Sequence, residues 1–165
     1  MAKTYRVTFT VRLSNALVTA LLRAGVPVGQ MWLLTVPGRQ SGRPRTTPVA
    51  LGEGDGRRWL IATFGQVNWA RNLRAAGGAT LARGRRAEAI AVVELSAAEA
   101  APILKRSLAG APSFIRRYFD VTPASSLAEF AREAPRHPVF EVFAADAVAA
   151  ARRERATAGA QAPTA

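Results

Sequence analysis

Hydrophobic positions along the chain alternate between two periods, 3.6 and 2. From Thr10 to Ala24 the residues Val11, Leu17, Val18, Leu21 and Leu22 recur at helical spacing, and Gly25 followed by Pro27 ends the run. An amphipathic helix is predicted, with two readings open. It packs over one mouth of a core, or it rests on a membrane as a basic segment, where Arg6, Arg12 and Arg23 would assist. Three apolar runs follow, Met31 to Val36, Thr46 to Leu51 and Trp59 to Phe64, and predict strands. Gly52-Glu-Gly-Asp-Gly56 joins the last two into a hairpin. Pro48 cannot donate to a ladder, which places the second strand at an edge or a bulge.

Helical spacing returns from Val67 to Ala76, with Trp69, Leu73 and Ala76 on one face and Gly77-Gly78 as the stop. Two further strands, Ala79 to Arg83 and Ala87 to Leu95, flank the turn Gly84-Arg85 and continue the meander. Ser96-Ala-Ala-Glu99 and Ser126-Leu-Ala-Glu129 are capping boxes, opening helices to about Ala109 and Ala134. Between them Pro112 to Phe119 is either a helical lid over a planar ligand or a face buried in the core. Val139 to Phe143 reads as a strand and Asp146 onward as a helix. The result is one α+β, mainly β domain of five or six antiparallel strands with flanking helices, and a barrel is the closure that removes its edges. The expected boundaries are a helical extension over 1–28, the barrel over 29–152 and a disordered tail over 153–165.

Composition narrows the chemistry. The 23 Lys+Arg against 11 Asp+Glu give a net charge of +12, a surface that attracts anions. The absence of cysteine removes disulfides, thiolate metal sites and cysteine nucleophiles, and a single histidine leaves no His-rich metal centre. Redox chemistry would therefore need a cofactor. No segment reads as a cleaved signal or a membrane span, so the expectation is a cytoplasmic protein, at most peripheral to the membrane through residues 8–24.

The densest chemistry lies in Leu34-Thr-Val-Pro-Gly-Arg-Gln-Ser-Gly-Arg-Pro-Arg-Thr-Thr-Pro-Val49. Gly38 and Gly42 let the backbone bend toward a ligand. Ser41, Thr46 and Thr47 offer hydroxyls, and Arg39, Arg43 and Arg45 offer forked, permanent charges. Phosphate or carboxylate is the natural guest.

This loop, followed by Ala62-Thr63-Phe64-Gly65 and Trp69-Ala70-Arg71-Asn72-Leu73, resembles the deazaflavin (F420)-dependent nitroreductase family over roughly residues 31–95. The resemblance implies a split β-barrel of antiparallel, Greek-key-like strands and an F420H2-dependent oxidoreductase. Such an enzyme transfers a hydride from reduced deazaflavin to an electron-poor acceptor: a quinone, a nitroarene or an activated alkene. Carried over by position, Arg39, Ser41 and Arg45, with Arg43, would hold the phosphate and acidic tail of F420. Thr47 and Pro48 would border its ring. Ala62, Thr63, Phe64 and Gly65 would line the groove through backbone groups, with Trp69 and Asn72 at its far wall. Two departures stand out. Gln40 occupies a position where the family often has lysine, and Pro112-Ser113-Phe114 matches a Pro-Ser-Tyr lid without its hydroxyl. Phe114 and Tyr118 would line the substrate, and Tyr118, Ser113 or water would supply a proton.

Three other readings compete. The same fold could bind a lipid without catalysis, or FMN in place of F420. Haem is a smaller alternative, for which His137 in Pro135-Arg-His-Pro138 is the one conceivable axial ligand, although a structural or exposed role fits that setting better. Nucleic acid is not the expected partner, because the charge comes without a recognisable binding motif. Monomer and homodimer are both compatible with the sequence.

Overall fold

The computed structural model describes residues 9–147, with side chains from residue 15 onward. Helix α1 (Phe9–Arg23) precedes strands β1 (Met31–Pro37), β2 (Pro44–Gly54) and β3 (Arg57–Ile61). Then come α2 (Asn68–Ala76), β4 (Gly78–Arg83), β5 (Arg86–Glu94), α3 (Ala97–Ala109), α4 (Ser113–Arg116), α5 (Leu127–Glu133), a 3-10 turn (Ala134–Arg136) and β6 (Val139–Ala144). The expected helix from Asp146 and the tail over 153–165 fall almost wholly outside the described residues.

The strands close into an antiparallel barrel in the order β1-β2-β3-β6-β5-β4, with β4 returning to β1. The expected meander is therefore corrected at two points: β4 pairs with β1 rather than β3, and β6 enters between β3 and β5. After β5 the chain leaves the barrel to lay down α3 to α5. It returns as β6 to cover the two edges that β3 and β5 would otherwise expose.

Alternation along the strands feeds two cores. Leu34, Val36, Leu51, Leu60, Leu81, Ile90, Phe140 and Val142 fill the barrel, and Ala70 and Leu73 of α2 pack into the same cluster. Trp59 and Val139 point the other way, into a second cluster with Ile103, Leu104 and Leu108 of α3, Phe119, and Phe130 of α5. Strands buried on both faces explain why β3 and β6 read as continuous apolar runs. The hairpin between β2 and β3 turns on Asp55 and Gly56, both at positive φ (53° and 71°), a geometry that matches strand twist.

Helix α1 is tied to the barrel at its end. Leu22 is fully buried, and its carbonyl accepts from the amide of Gly84 in the β4–β5 turn at 3.0 Å. Among the described residues no helix is long and apolar enough to cross a membrane.

Candidate functional site

The barrel is split along β2. Its ladder with β3 runs only from Leu51↔Leu60 to Gly54↔Arg57, whereas its ladder with β1 covers Pro44 to Ala50. The outer edge of β2 from Pro44 to Ala50 thus carries no second strand, and Pro48 sits there at no loss of a hydrogen bond. The chain that would have continued the pairing leaves β3 at Ile61, three residues before the expected Phe64, and turns through Gly65 at φ 90°.

Helix α1 faces this open edge. Asn15, Thr19 and Arg23, spaced four apart on one helical stripe, line a cleft of about 400 Å³ together with Ala16, Ala20, Thr46, Thr47 and Pro48. Hydroxyls, an amide and a guanidinium converge on a strand edge, and small alanines leave the room between them. The stripe eluded sequence reasoning because Asn15 and Thr19 look like the ordinary solvent face of an amphipathic helix.

The basic loop after β1 is anchored at one point. The backbone N–H and Nη1 of Arg39 both donate to Oδ1 of Asn72, at 3.3 and 3.0 Å, and Asn72 is buried on α2. The backbone N–H of Arg43 donates to the Ser41 hydroxyl at 3.4 Å and its carbonyl accepts from the amide of Gly38 at 2.9 Å, which folds the loop on itself. Gly38 is pinned in this fold: a Cβ there would lie 3.0 Å from Ser41 Oγ and 3.3 Å from the Arg43 carbonyl. Arg39, Arg43 and Arg45 all reach solvent. Five other arginines, at 57, 58, 74, 106 and 136, are neutralised by acidic partners. Arg39, Arg43 and Arg45 form no ion pair with an acidic side chain among the described residues, so this loop is one of several stretches whose positive charge stays uncompensated.

The remaining expected residues fall into three groups. Phe64 meets Tyr118 edge to face, with centroids 5.1 Å apart and planes at 84°, so the turn after β3 and the lid segment touch. Ala62 and Gly65 engage their amides inside the protein, with Pro138 and Ala62 carbonyls respectively, while Thr63 is half-buried beside them. Trp69 tilts onto Phe140, 6.2 Å between centroids, and belongs to the barrel packing as well as to the motif. The segment at 112–119 divides between its two expected roles: Phe119 is buried in the outer core, whereas Ser113 and Phe114 are exposed. His137 is buried, its ring stacked on Phe119 at 3.8 Å and its Nε2 3.1 Å from Glu133, so of the two roles that fitted its setting the structural one holds.

Residues 5–122 match the F420H(2)-dependent quinone reductase family. The chain belongs to this family. It is accordingly an F420H2-dependent oxidoreductase, and coenzyme F420 is its cofactor. Among solved structures, one described as a domain-swapped dimer superposes with a TM-score of 0.50 at 20% identity, covering 82% of this chain and 100% of its own. An F420-H2 dependent reductase (FDR-A) superposes with a TM-score of 0.46 at 22% identity, covering 69% of this chain and 94% of its own. No curated protein sequence matches the chain. The donor set fits the cofactor of the family: bare guanidinium groups and a hydroxyl suit its phosphate and carboxylates, and the cleft along β2 has the size of a small-molecule site.

Proposed function

We propose that this member of the F420H(2)-dependent quinone reductases binds the cofactor's phosphate and acidic tail at Arg39, Ser41, Arg43 and Arg45. The ring then lies along the open edge of β2 at Thr47 and Pro48, and a quinone is the acceptor. The observation that supports this most is the loop itself: one arginine is fixed by Asn72, and its two neighbours are left without an acidic partner among the described residues. Permanent charges without counterions in a closed loop favour a dianionic ligand.

Bound reduced F420 supplies a hydride equivalent. The chain's own residues then have three tasks. The arginine loop fixes the anionic end, so that binding energy distant from the reaction orients the reacting end. The stripe Asn15, Thr19 and Arg23 closes the cleft from the α1 side and offers donors to the acceptor's carbonyl oxygens. Reduction of a quinone to a hydroquinone by hydride also requires one proton. Tyr118, beside Phe64, and Ser113, at the start of α4, are the hydroxyls that can pass one in, with water as the third source.

A titration of F420 fluorescence beside one with FMN tests the reading. F420 binds in the micromolar range or tighter, FMN binds at least tenfold more weakly, and the Arg39→Ala/Arg45→Ala variant loses F420 binding. Affinity also falls as salt is added, because the charges are exposed. Wild-type affinity in the double variant overturns the assignment.

A peripheral membrane role for residues 8–24 is supported by one observation. Leu17 and Val26 are 61% and 46% exposed, with Arg23 between them in sequence. Pelleting with anionic liposomes, lost in a Leu17→Glu variant, tests it.

A further inference from the structure

His137 is the single histidine of the chain and is 2% exposed. Its ring stacks on Phe119 with centroids 3.8 Å apart and planes within 16°. Its Nε2 lies 3.1 Å from Oε1 of Glu133, one helical turn earlier and 6% exposed. The same Glu133 oxygen accepts the backbone N–H of Asp120 at 3.1 Å, and its other oxygen accepts Nη1 of Arg136 at 3.2 Å. Arg136 is also paired with Asp120. Nδ1 of His137 is buried with no partner at full hydrogen-bond geometry, and the Ala62 backbone just after β3 is near enough to favour the ring's charged form.

The segment carrying His137 joins two walls. On one side it holds the turn after β3: the Ala62 amide donates to the Pro138 carbonyl at 2.9 Å, and Gln66 Nε2 donates to the Pro135 carbonyl at 2.9 Å. On the other side Glu133 and His137 hold the end of the lid segment, through the Asp120 amide and the Phe119 ring. Phe64 and Tyr118 meet where those two walls converge. An apolar pair would fill this volume at lower desolvation cost than a histidine and a carboxylate. The polar pair adds a directional tie that apolar packing lacks.

We propose that His137, oriented by Glu133, is a positioning residue for the reductase: it sets Tyr118 of the lid against Phe64 of the turn and thereby governs how the acceptor is held. The inference rests on the reading that Tyr118 and Phe64 border the reacting centre. Burial, the largest influence, pushes the His137 pKa below its ordinary value, opposed by Glu133 and reinforced by Arg136. Burial thus favours the neutral ring more than in a free histidine. Acid favours whatever state hydrates the imidazolium, which here means a lid whose Phe119 end is lifted off His137. An acceptor that requires the closed lid binds less tightly as pH falls below the free-histidine range, and by reciprocity it makes the ring harder to protonate.

A lone histidine gives a single imidazole NMR signal set, so the test can use the full-length protein loaded with oxidised F420. The midpoint of the His137 titration lies below 6.5 and its proton affinity drops about three- to tenfold when menadione is added. In steady state His137→Phe, which keeps the stack and removes the tie, leaves the F420 dissociation constant within about twofold, raises the menadione KM about tenfold at pH 7 and abolishes the rise of KM in acid. Glu133→Gln, which keeps volume and a neutral hydrogen bond, shifts the same KM less. A midpoint unmoved by menadione, or a His137→Phe enzyme with wild-type KM and an intact acid limb, overturns the proposal. Tyr118→Ala separates the two levels. If it leaves kcat and KM unchanged, the placement of the reacting centre is wrong. If it raises KM while His137→Phe does not, the positioning role alone is wrong.

Discussion

Oδ1 of Asn72 accepts two hydrogen bonds from Arg39, one from its backbone N–H at 3.3 Å and one from Nη1 at 3.0 Å. One buried carbonyl on α2 thus fixes both the path of the basic loop and the direction of its first guanidinium. The separation of 33 residues between the partners explains why the two halves of the motif occur together: neither holds the loop alone.

Asn72→Leu is expected to leave the Arg39 amide without its partner, with a stability loss of about 1–3 kcal/mol in urea unfolding and about a tenfold rise in the F420 dissociation constant. Asn72→Asp discriminates between packing and charge. It keeps the anchor, so unfolding is nearly unchanged, yet its carboxylate neutralises Arg39 and F420 binding weakens. Equal effects from both variants would contradict this division.

Gly52 lies under the indole of Trp59, where a Cβ would come within 2.1 Å of Nε1. Trp59 is itself buried, and the guanidinium of Arg106 sits 5.5 Å from its ring centroid. A buried indole must shift to admit the methyl group, so Gly52→Ala should destabilise the protein by about 1–3 kcal/mol, read from the shift of the urea midpoint. The Gly52→Ala/Trp59→Phe double variant recovers part of that loss, because the clash needs the full indole.

Acid stability carries a third prediction. Glu141 on β6 receives Nε and Nη2 of Arg57 at 2.6 and 2.7 Å, and this hydrogen bonding holds its carboxyl below the ordinary value of 4.5. A folded-state value below the unfolded one means stability that is complete above about pH 4.5 and is lost as pH falls through the lower, folded-state value. Arg57 is about half exposed, so solvent screens the pair and its contribution is small. Glu141→Gln is therefore slightly less stable than wild type at pH 7, and the two unfolding curves converge toward pH 3. Glu99 and Glu129, lowered mainly by the Ser96 and Ser126 hydroxyls in their capping boxes, keep an acid limb in the variant.

Local signals carried most of the fold. The two capping boxes form as the sequence indicates, with Ser96 and Ser126 each exchanging bonds with the glutamate three residues on. Gly77 closes α2 at φ 68° with its amide on the Leu73 carbonyl. These features depend on neighbours a few residues apart, so they are readable in order along the chain. Strand order is not of this kind. The insertion of β6 between β3 and β5 depends on three helices finding one face of the sheet, a contact that no local pattern encodes.

The candidate site divides along the same line. The chemistry is legible along the chain: a loop of arginines, glycines and hydroxyls between two strands, a Trp69-x-x-Asn72-Leu73 helix, and a proline that demands an edge. These are properties of residue type and short spacing. Which of those groups meet is set by closure of the barrel and the packing of its helices. Closure and packing tie Asn72 to Arg39, lay the stripe Asn15, Thr19 and Arg23 along the edge that Pro48 leaves open, and bury His137 against Glu133 between the lid and the turn. The physical reason is distance. A hydrogen bond or a cleft wall acts over a few ångströms, and barrel closure alone brings residues separated by tens of positions within that range.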